Sequence, residues 1–153
     1  MEIKNQDQTV LNFCKLSENA TPPKRATKGA AGMDLCACIE NEIVLNPGER
    51  ALVPTGIAIS IPSCEYAAFL FARSGLGVKH GITLSNGVGV IDSDYRGEIC
   101  AGLCNMGKDP YTIKPNERIA QLVIIKVENF PLVEVKTLDS TERGTGGFGS
   151  TGK

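Results

Sequence analysis

A short polar segment carries the groups best suited to acid–base chemistry. Residues 92–98 read Asp-Ser-Asp-Tyr-Arg-Gly-Glu and lie between two apolar runs. A carboxylate such as Asp92 or Asp94 can act as a general base, and the Tyr95 ring can lie against a sugar or another flat ring. A charged turn with a tyrosine packed beneath it has the same composition. Taken alone, the segment leaves a catalytic and a structural interpretation open.

Two further positions place polar groups beside apolar ones. Gln121 is the sole polar member of the alternating face formed by every second residue of 119–127. A buried amide without partners costs about 1 to 3 kcal/mol, so Gln121 is expected to have hydrogen-bond partners. Residues 73–75, Arg-Ser-Gly, end an apolar run with a cation, a hydroxyl and a glycine. Either position can also be a structural cap.

The segment 143–153 is rich in glycine and hydroxyl groups. It contains five glycines, three hydroxyls, Arg143 and Phe148. Glycines let backbone N–H groups approach an anion closely, and arginine offers paired N–H donors to phosphate oxygens. Phe148 has no core to fill here and can stack on a flat ring. A frayed terminal tail is the alternative interpretation.

The elements that position these groups are predicted to be strands. Residues 33–40 alternate with a period of two, which is typical of a strand. Further short runs follow at residues 42–45, 57–61, 66–71, 99–103, 119–127 and 132–138. Turn residues such as the Asn-Gly pair at 86–87, which suits a hairpin, separate most of them. With one short helix expected near residues 74–78, the pattern predicts an all-β sandwich or barrel.

Length and charge indicate the number of domains and exclude some kinds of partner. A chain of 153 residues with 42% apolar residues fits one domain with a real core. With 16 Lys and Arg against 17 Asp and Glu, it lacks the positive field that drives non-specific binding to nucleic acid or anionic lipid. Its apolar runs are far shorter than the ~20 residues of a membrane span. We expect neither a nucleic acid nor a membrane as partner.

The cysteines and the start of the chain suggest a compartment. The six cysteines form no C-x-x-C pair and are accompanied by one histidine. Small half-buried thiols are therefore expected at Cys36, Cys38, Cys100 and Cys104 rather than a zinc site. Residues 1–7 are polar and precede no apolar signal region. These features predict an intracellular, cytoplasmic protein.

Five stretches, in this order, resemble the five sequence motifs of the trimeric dUTP diphosphatase (dUTPase) family. They are residues 31–35 (AGMDL), 73–76 (RSGL), 86–98 (NGVGVIDSDYRGE), 117–122 (ERIAQL) and 143–152 (RGTGGFGSTG). Five motifs in the family's order over nearly the whole chain make a highly specific match. The departures are Met33 where the family often has Tyr, Gly77 where it has Ala, and Asn-Glu at 116–117 where it has Gly-Asp. All of these replace packing or turn residues.

The resemblance implies a jelly-roll-like β-sandwich or barrel over residues 1–142. It also implies a flexible glycine-rich C-terminal arm, residues 143–153, that closes the active site of a neighbouring subunit in a homotrimer with shared active sites. The implied reaction is hydrolysis of dUTP to dUMP and diphosphate by attack of water on the α-phosphate, assisted by Mg²⁺. It limits uracil incorporation into DNA and supplies dUMP for thymidylate synthesis.

The third motif implies the roles nearest the nucleoside. By resemblance, Asp92 is the catalytic residue that orients and deprotonates the water. Asn86 and the backbone at Val90 and Ile91 read the edge of uracil. Tyr95 packs against deoxyribose and leaves no room for a 2′-hydroxyl.

The other motifs imply the phosphate and metal contacts. Arg73, Ser74, Gly75 and Gln121 match positions that bind phosphates, and Asp34 matches an acidic residue that supports the metal through water. The arm supplies the remaining substrate contacts, with the aromatic residue covering uracil and the others gripping the γ-phosphate: Arg143, Phe148, Gly149, Ser150 and Thr151.

Two alternatives are left open by the sequence. A dCTP deaminase shares the fold but needs a glutamate poised at the pyrimidine ring, and Glu98 lies in the corresponding segment. The complete glycine-rich arm favours the diphosphatase. A non-catalytic trimer that retains the pocket is the second alternative, and it predicts turnover no greater than that of Asp92→Asn.

Overall fold

Short runs with alternating burial form the strands of the structure, a computed structural model that describes residues 10–147. In that range there are eleven strands and one helix. They are β1 (Asn12–Lys15), β2 (Met33–Cys36), β3 (Ile43–Leu45), β4 (Arg50–Pro54), β5 (Ile57–Ser60), β6 (Tyr66–Ala72), α1 (Ser74–His80), β7 (Ile82–Leu84), β8 (Gly89–Ile91), β9 (Cys100–Asn105), β10 (Tyr111–Ile113) and β11 (Arg118–Lys126). The predicted all-β class with one short helix is confirmed.

The strands form two main sheets and two ribbons, with every strand pair antiparallel. The larger sheet has the order β2-β11-β6-β8, the smaller one β4-β9-β7, and β1-β5 and β10-β3 pair separately. Leu70 and Leu122 of the larger sheet and Val53 and Leu103 of the smaller sheet belong to one hydrophobic core. The two sheets therefore bury their facing sides against each other, as in a β-sandwich.

Strand β11 has one face that packs on the core and one face that is only partly buried. Its core face carries Ala120 and Leu122, which are fully buried. Gln121 lies on the opposite face, which turns outward until Ile125 is 39% exposed. Ile119 on the predicted apolar face is buried in the core, while Gln121 and Val123 on that face are half-buried. The expected hydrogen-bond partner of Gln121 is present and is described with the site.

The predicted strand at residues 132–138 is wrong. The structure has no strand there, and Leu132 is 98% and Leu138 85% exposed. An alternating sequence becomes a strand only when a neighbouring strand accepts its hydrogen bonds, and within the described part of this chain none does.

The half-buried state predicted for four cysteines is found at three of them. Cys38, Cys100 and Cys104 are half-buried, whereas Cys36 is buried; Cys14 and Cys64 are exposed. Asn116 adopts a φ of 60°, a left-handed conformation that asparagine tolerates better than most residues other than glycine. Within residues 10–147, no helix has the length and apolar content needed to cross a membrane.

Candidate active site

Five of the predicted site residues line one cavity. The cavity has a volume of about 370 Å³, and its walls include Asn86, Val90, Ile91, Asp92 and Tyr95. That volume lies in the range of small-molecule pockets, which is about 300–1,000 Å³. The third motif therefore forms one concave site rather than a scattered set of polar groups.

Strand β8 and the turn before it hold this wall in place. Ile91 pairs with Ala68 and Gly89 with Leu70 of β6. A side chain at Gly89 would place its Cβ 3.0 Å from Leu70 Cβ and 3.8 Å from the Asn86 amide nitrogen. Glycine at this position therefore lets the strand approach β6 closely beside Asn86.

The hairpin predicted around residues 86–87 is wrong. Gly87 does adopt a positive φ of 74°, and its N–H donates to Leu84 O at 3.1 Å. However, β7 before the turn belongs to the smaller sheet and β8 after it to the larger. The turn therefore carries the chain from one sheet to the other, which places Asn86 at the edge of the sandwich.

The loop between β8 and β9 presents Asp92 and Tyr95 together. The Tyr95 N–H donates to Asp92 O at 3.2 Å, which closes a turn. Arg96 Nη1 braces this turn by donating to the carbonyls of Ser93 at 2.7 Å and Tyr95 at 2.9 Å. The Asp92 side chain is exposed, and no described residue forms a hydrogen bond or ion pair with its carboxylate. The carboxylate is thus free to bind water.

A second cluster joins the first, second and fourth motifs. Asp34 Oδ1 accepts from Arg73 Nε at 3.0 Å, and Asp34 Oδ2 accepts from Arg118 Nη1 at 3.2 Å. Arg73 Nη1 also donates to Arg118 O at 3.2 Å. One carboxylate and two guanidinium groups leave this cluster with net positive charge, which suits a phosphate chain. Arg118 was missed by the sequence reasoning, although its place in the fourth motif was a signal.

Gln121 lies beside this cluster because of strand register. It pairs with Asp34 on β2 and with Phe71 on β6, and its Nε2 donates to Ala72 O at 3.0 Å. A Cβ at Gly32 would lie 2.8 Å from Gln121 Oε1. The glycine of the first motif therefore makes room for the glutamine of the fourth.

Ser74 and Gly75 begin helix α1 directly after Arg73. Both are exposed. A Cβ added at Gly75 would meet no atom within 4 Å, so packing within the described chain gives no reason for glycine here.

The cavity residues around Asp92 and the cluster around Arg73 lie at opposite ends of β6. Ile91 pairs with Ala68 near the start of that strand, so Asp92 is level with Ala67, whereas Arg73 follows its last residue. Six positions at ~3.3 Å each place Asp92 and Arg73 about 20 Å apart. The structure therefore does not bring Asp92 together with Arg73 and Gln121 inside one chain.

The arm is described only at its beginning. Arg143 is exposed, and its Nε donates to Gly146 O at 2.8 Å within a local turn. The predicted contacts at Phe148, Gly149, Ser150 and Thr151 lie outside the described residues.

A metal would find few protein ligands in this chain. Across residues 10–147, no three His, Cys, Asp or Glu side chains come together as a metal site. Both Asp34 oxygens already accept from guanidinium groups, although each oxygen keeps a lone pair that can accept from water. This arrangement fits an ion held by phosphates and waters, which Mg²⁺ favours because it dehydrates reluctantly.

Fold and site together define a class: an all-β protein with a free carboxylate at a pocket and an arginine cluster suited to phosphates. The dUTPase family model matches residues 18–152. A deoxyuridine 5′-triphosphate nucleotidohydrolase from Neisseria gonorrhoeae is 49% identical over 152 residues, 99% of this chain and 96% of the relative. The chain belongs to the dUTPase family.

Solved structures of phage dUTPases are similar to this protein over most of the chain. The Staphylococcus bacteriophage 80alpha dUTPase with dUpNHpp has a TM-score of 0.85 at 31% identity, covering 94% of this chain and 99% of that one. A variant dUTPase from phage phi11 of S. aureus, with a coordinated structural Mg(II) ion, has a TM-score of 0.77 at 28% identity, covering 86% and 99%. These similarities confirm the predicted jelly-roll type of β fold.

Proposed function

We propose that this protein hydrolyses dUTP to dUMP and diphosphate. The observation that carries the proposal is the cavity that gathers Asn86, Val90, Ile91, Asp92 and Tyr95 in a member of the dUTPase family. The reaction limits the dUTP available for DNA synthesis and yields the precursor of thymidylate. The reduced cysteines fit a cytoplasmic location.

Asp92 is the residue to which we assign the chemical step. Its carboxylate orients a water molecule and accepts its proton as the water oxygen attacks the α-phosphorus, and diphosphate leaves from the opposite side. The carboxylate is exposed beside the cavity, which supports this role. Hydrolysis of a phosphate anhydride depends mainly on positioning and charge stabilisation, so one base and many donors are sufficient.

The cavity suits the nucleoside half of the substrate. The Asn86 amide and the backbone at Val90 and Ile91 offer donors and acceptors to the edge of uracil. Tyr95 stands against the deoxyribose, where a 2′-hydroxyl would collide with its ring. Both Asn86 and Tyr95 border the cavity, which supports this division of roles.

The phosphate half of the substrate requires a second chain. One α-phosphate cannot contact both Asp92 and Arg73 when about 20 Å of strand separates them. We therefore assign Arg73, Ser74, Gly75 and Gln121 to the site of a neighbouring protomer, in a homotrimer with shared active sites. The net positive charge around Arg73 supports phosphate binding there.

The exposed apolar segment 130–138 supports such an assembly. Phe130 is 77%, Leu132 98% and Val133 78% exposed, a degree of apolar exposure that marks an interaction surface. We infer that this segment packs on a neighbouring copy and carries the arm, residues 143–153, to that copy's site. There Arg143, Phe148, Gly149, Ser150 and Thr151 complete the grip on substrate, and residues 1–142 form the β domain.

Mg²⁺ belongs to the proposal as a cofactor held mainly by the substrate. When bound, it neutralises charge on the phosphate oxygens. Asp34 would hold one of its waters while keeping Arg73 in place. The free lone pairs of the Asp34 oxygens support this assignment.

Product analysis tests the function directly. Purified protein is incubated with dUTP, dCTP, dTTP or UTP, with and without Mg²⁺, and released diphosphate and nucleotides are resolved by chromatography. We expect diphosphate from dUTP alone, faster with Mg²⁺, and none from Asp92→Asn. Deamination of dCTP would contradict the proposal, as would equal turnover by wild type and Asp92→Asn.

A further inference from the structure

Glu98 lies near the end of the loop between β8 and β9, and its side chain is hydrogen-bonded to the core. Its Oε1 accepts from the Gly56 N–H at 2.7 Å. The next residue, Ile99, donates its N–H to Ile57 O at 2.8 Å and accepts from Thr55 Oγ1 at 2.5 Å. Since Thr55, Ile57 and Ile99 are buried, this end of the loop is tied to the core by both main chain and side chain.

Gly56, which donates to Glu98, is enclosed by the core. Gly56 has a φ of 67°, and an added Cβ would lie 2.6 Å from Ala20 Cβ and 2.9 Å from Cys38 Sγ. The backbone there is enclosed and needs glycine. The Gly56 N–H is therefore a fixed donor, and the Glu98 carboxylate is a matched charged acceptor.

Tyr95 rests on this anchored segment. Its hydroxyl donates to Glu98 O at 3.0 Å. The ring lies directly over Gly97, where an added Cβ would be 2.6 Å from Tyr95 Cζ and 3.0 Å from Cε2. The Tyr95 ring therefore packs on Gly97, and its hydroxyl is hydrogen-bonded to the main chain of Glu98.

The Glu98 side chain also separates two spaces. It borders the cavity that contains Asp92 and Tyr95, and it borders a second cleft of about 270 Å³ on the side of Cys38 and Gly56. Removing this side chain would break the bond to the Gly56 N–H and leave only the main-chain bonds at Ile99. We expect residues 97–98 then to shift towards the second cleft and the tyrosine to move with them.

We propose that Glu98 is a positioning residue that holds Tyr95 against the sugar and thereby sets the rejection of ribonucleotides. This inference rests on the proposed function, since it assigns the Tyr95 ring to the sugar wall. Glu98 acts through Tyr95 and not on the reacting atoms. A side chain that excludes a hydroxyl does so only while its position is fixed to well under 1 Å.

The test compares kcat/KM for dUTP and UTP in Glu98→Ala, Glu98→Gln, Tyr95→Ala and the Glu98→Ala/Tyr95→Ala double variant. Glu98→Ala should lower the dUTP/UTP preference about tenfold or more, mainly through faster use of UTP. Glu98→Gln keeps an oxygen that accepts from Gly56 and should restore the preference to within about threefold. The double variant should match Tyr95→Ala, because residues that act as a unit are not additive.

Gly97→Ala changes the position of the Tyr95 ring directly, through the residue on which the ring packs. Gly97 has an ordinary φ, so alanine fits the backbone, while the atoms nearest to its methyl group belong to the Tyr95 ring, which must shift. A lowered dUTP/UTP preference is expected with an unchanged Tm. Gly97→Ala thus tests whether the preference depends on the position of the ring. If Glu98→Ala fails to fold, Glu98→Asp, whose carboxylate is one methylene group further from the Gly56 N–H, takes its place, and a lowered dUTP/UTP preference is expected there too.

The outcomes separate the two proposals. An unchanged preference in a folded Glu98→Ala or Glu98→Asp variant, or additive losses in the double variant, would overturn the positioning role of Glu98 while leaving the dUTPase function intact. An unchanged preference in Gly97→Ala would overturn the role of the Tyr95 ring as the sugar wall. Failure of the wild-type protein to release diphosphate from dUTP would overturn the function itself.

Discussion

Replacing Asp34 by asparagine removes the carboxylate that holds two guanidinium groups in place. Asp34 accepts from Arg73 at 3.0 Å and from Arg118 at 3.2 Å, and its side chain is only 19% exposed. Asparagine has nearly the same shape but carries no charge and one oxygen acceptor instead of two. We expect Arg73 to lose its fixed direction while both cations remain.

The loss of stability should be small and the loss of activity large. The Arg73 side chain is 25% and that of Arg118 55% exposed, and ion pairs exposed to solvent contribute at most about 1 kcal/mol each. For a domain of this size, each kcal/mol lowers Tm by about 2 to 4 °C. In contrast, misplacing a phosphate donor by about 1 Å costs up to about 100-fold in rate.

Steady-state diphosphate release from dUTP separates these effects. For Asp34→Asn we expect kcat to fall about ten- to a hundredfold, with KM changed less than about threefold because the cluster keeps its positive charge. Glu42→Gln, which changes an exposed carboxylate that forms no ion pair with Arg73 or Arg118, is the matched control. An unchanged kcat in Asp34→Asn, or the same loss in the control, would refute the role of Asp34 in positioning Arg73.

Three further changes have distinct expected results. Deleting residues 143–153 should leave a folded oligomer with little hydrolysis, since closure is lost and the core is untouched; unfolding seen by circular dichroism would contradict this. Gly32→Ala should weaken substrate binding and raise KM, because its Cβ would lie 2.8 Å from Gln121 Oε1; an unchanged KM would count against the phosphate role of Gln121. Burial and the Glu117 carboxylate raise the pKa of Tyr111 to about 12. The protonated phenol is therefore favoured in the folded state, and its contribution to stability is complete below pH ~10 and is lost as the pH rises towards 12. Urea unfolding should show this decline in wild type and a weaker one in Tyr111→Phe.

The fold could be predicted where strands have one buried face. β6, β9 and β11 alternate or run apolar because the sandwich core fills one side of each. β1 escaped prediction because all four of its residues are exposed and only pairing with β5 holds it. Residues 132–138 have the opposite property: their sequence is typical of a strand, but the described chain supplies no strand beside them.

The site could be predicted in pieces but not as an assembly. The motif resemblance selected Asp92, Tyr95 and Asn86, and these line one cavity. The contact between Asp34 and Arg118 depends on a register shift between β11 and β2, which the sequence does not reveal. The distance between Asp92 and Arg73 follows from the pairing of β8 with β6, which is likewise a property of register.

Mixing two inactive variants tests most directly whether one site draws Asp92 and Arg73 from different chains. Asp92→Asn and Arg73→Ala proteins are unfolded separately, combined in equal amounts and refolded, and diphosphate release from dUTP is compared with that of each variant alone. If each site takes Asp92 from one chain and Arg73 from another, each of these residues is intact in half of the sites after random assembly. Both are then intact in about a quarter of the sites, which gives about a quarter of wild-type activity. Activity no higher than that of the separate variants, in an assembly shown by mass spectrometry to contain both chains, would contradict a shared site.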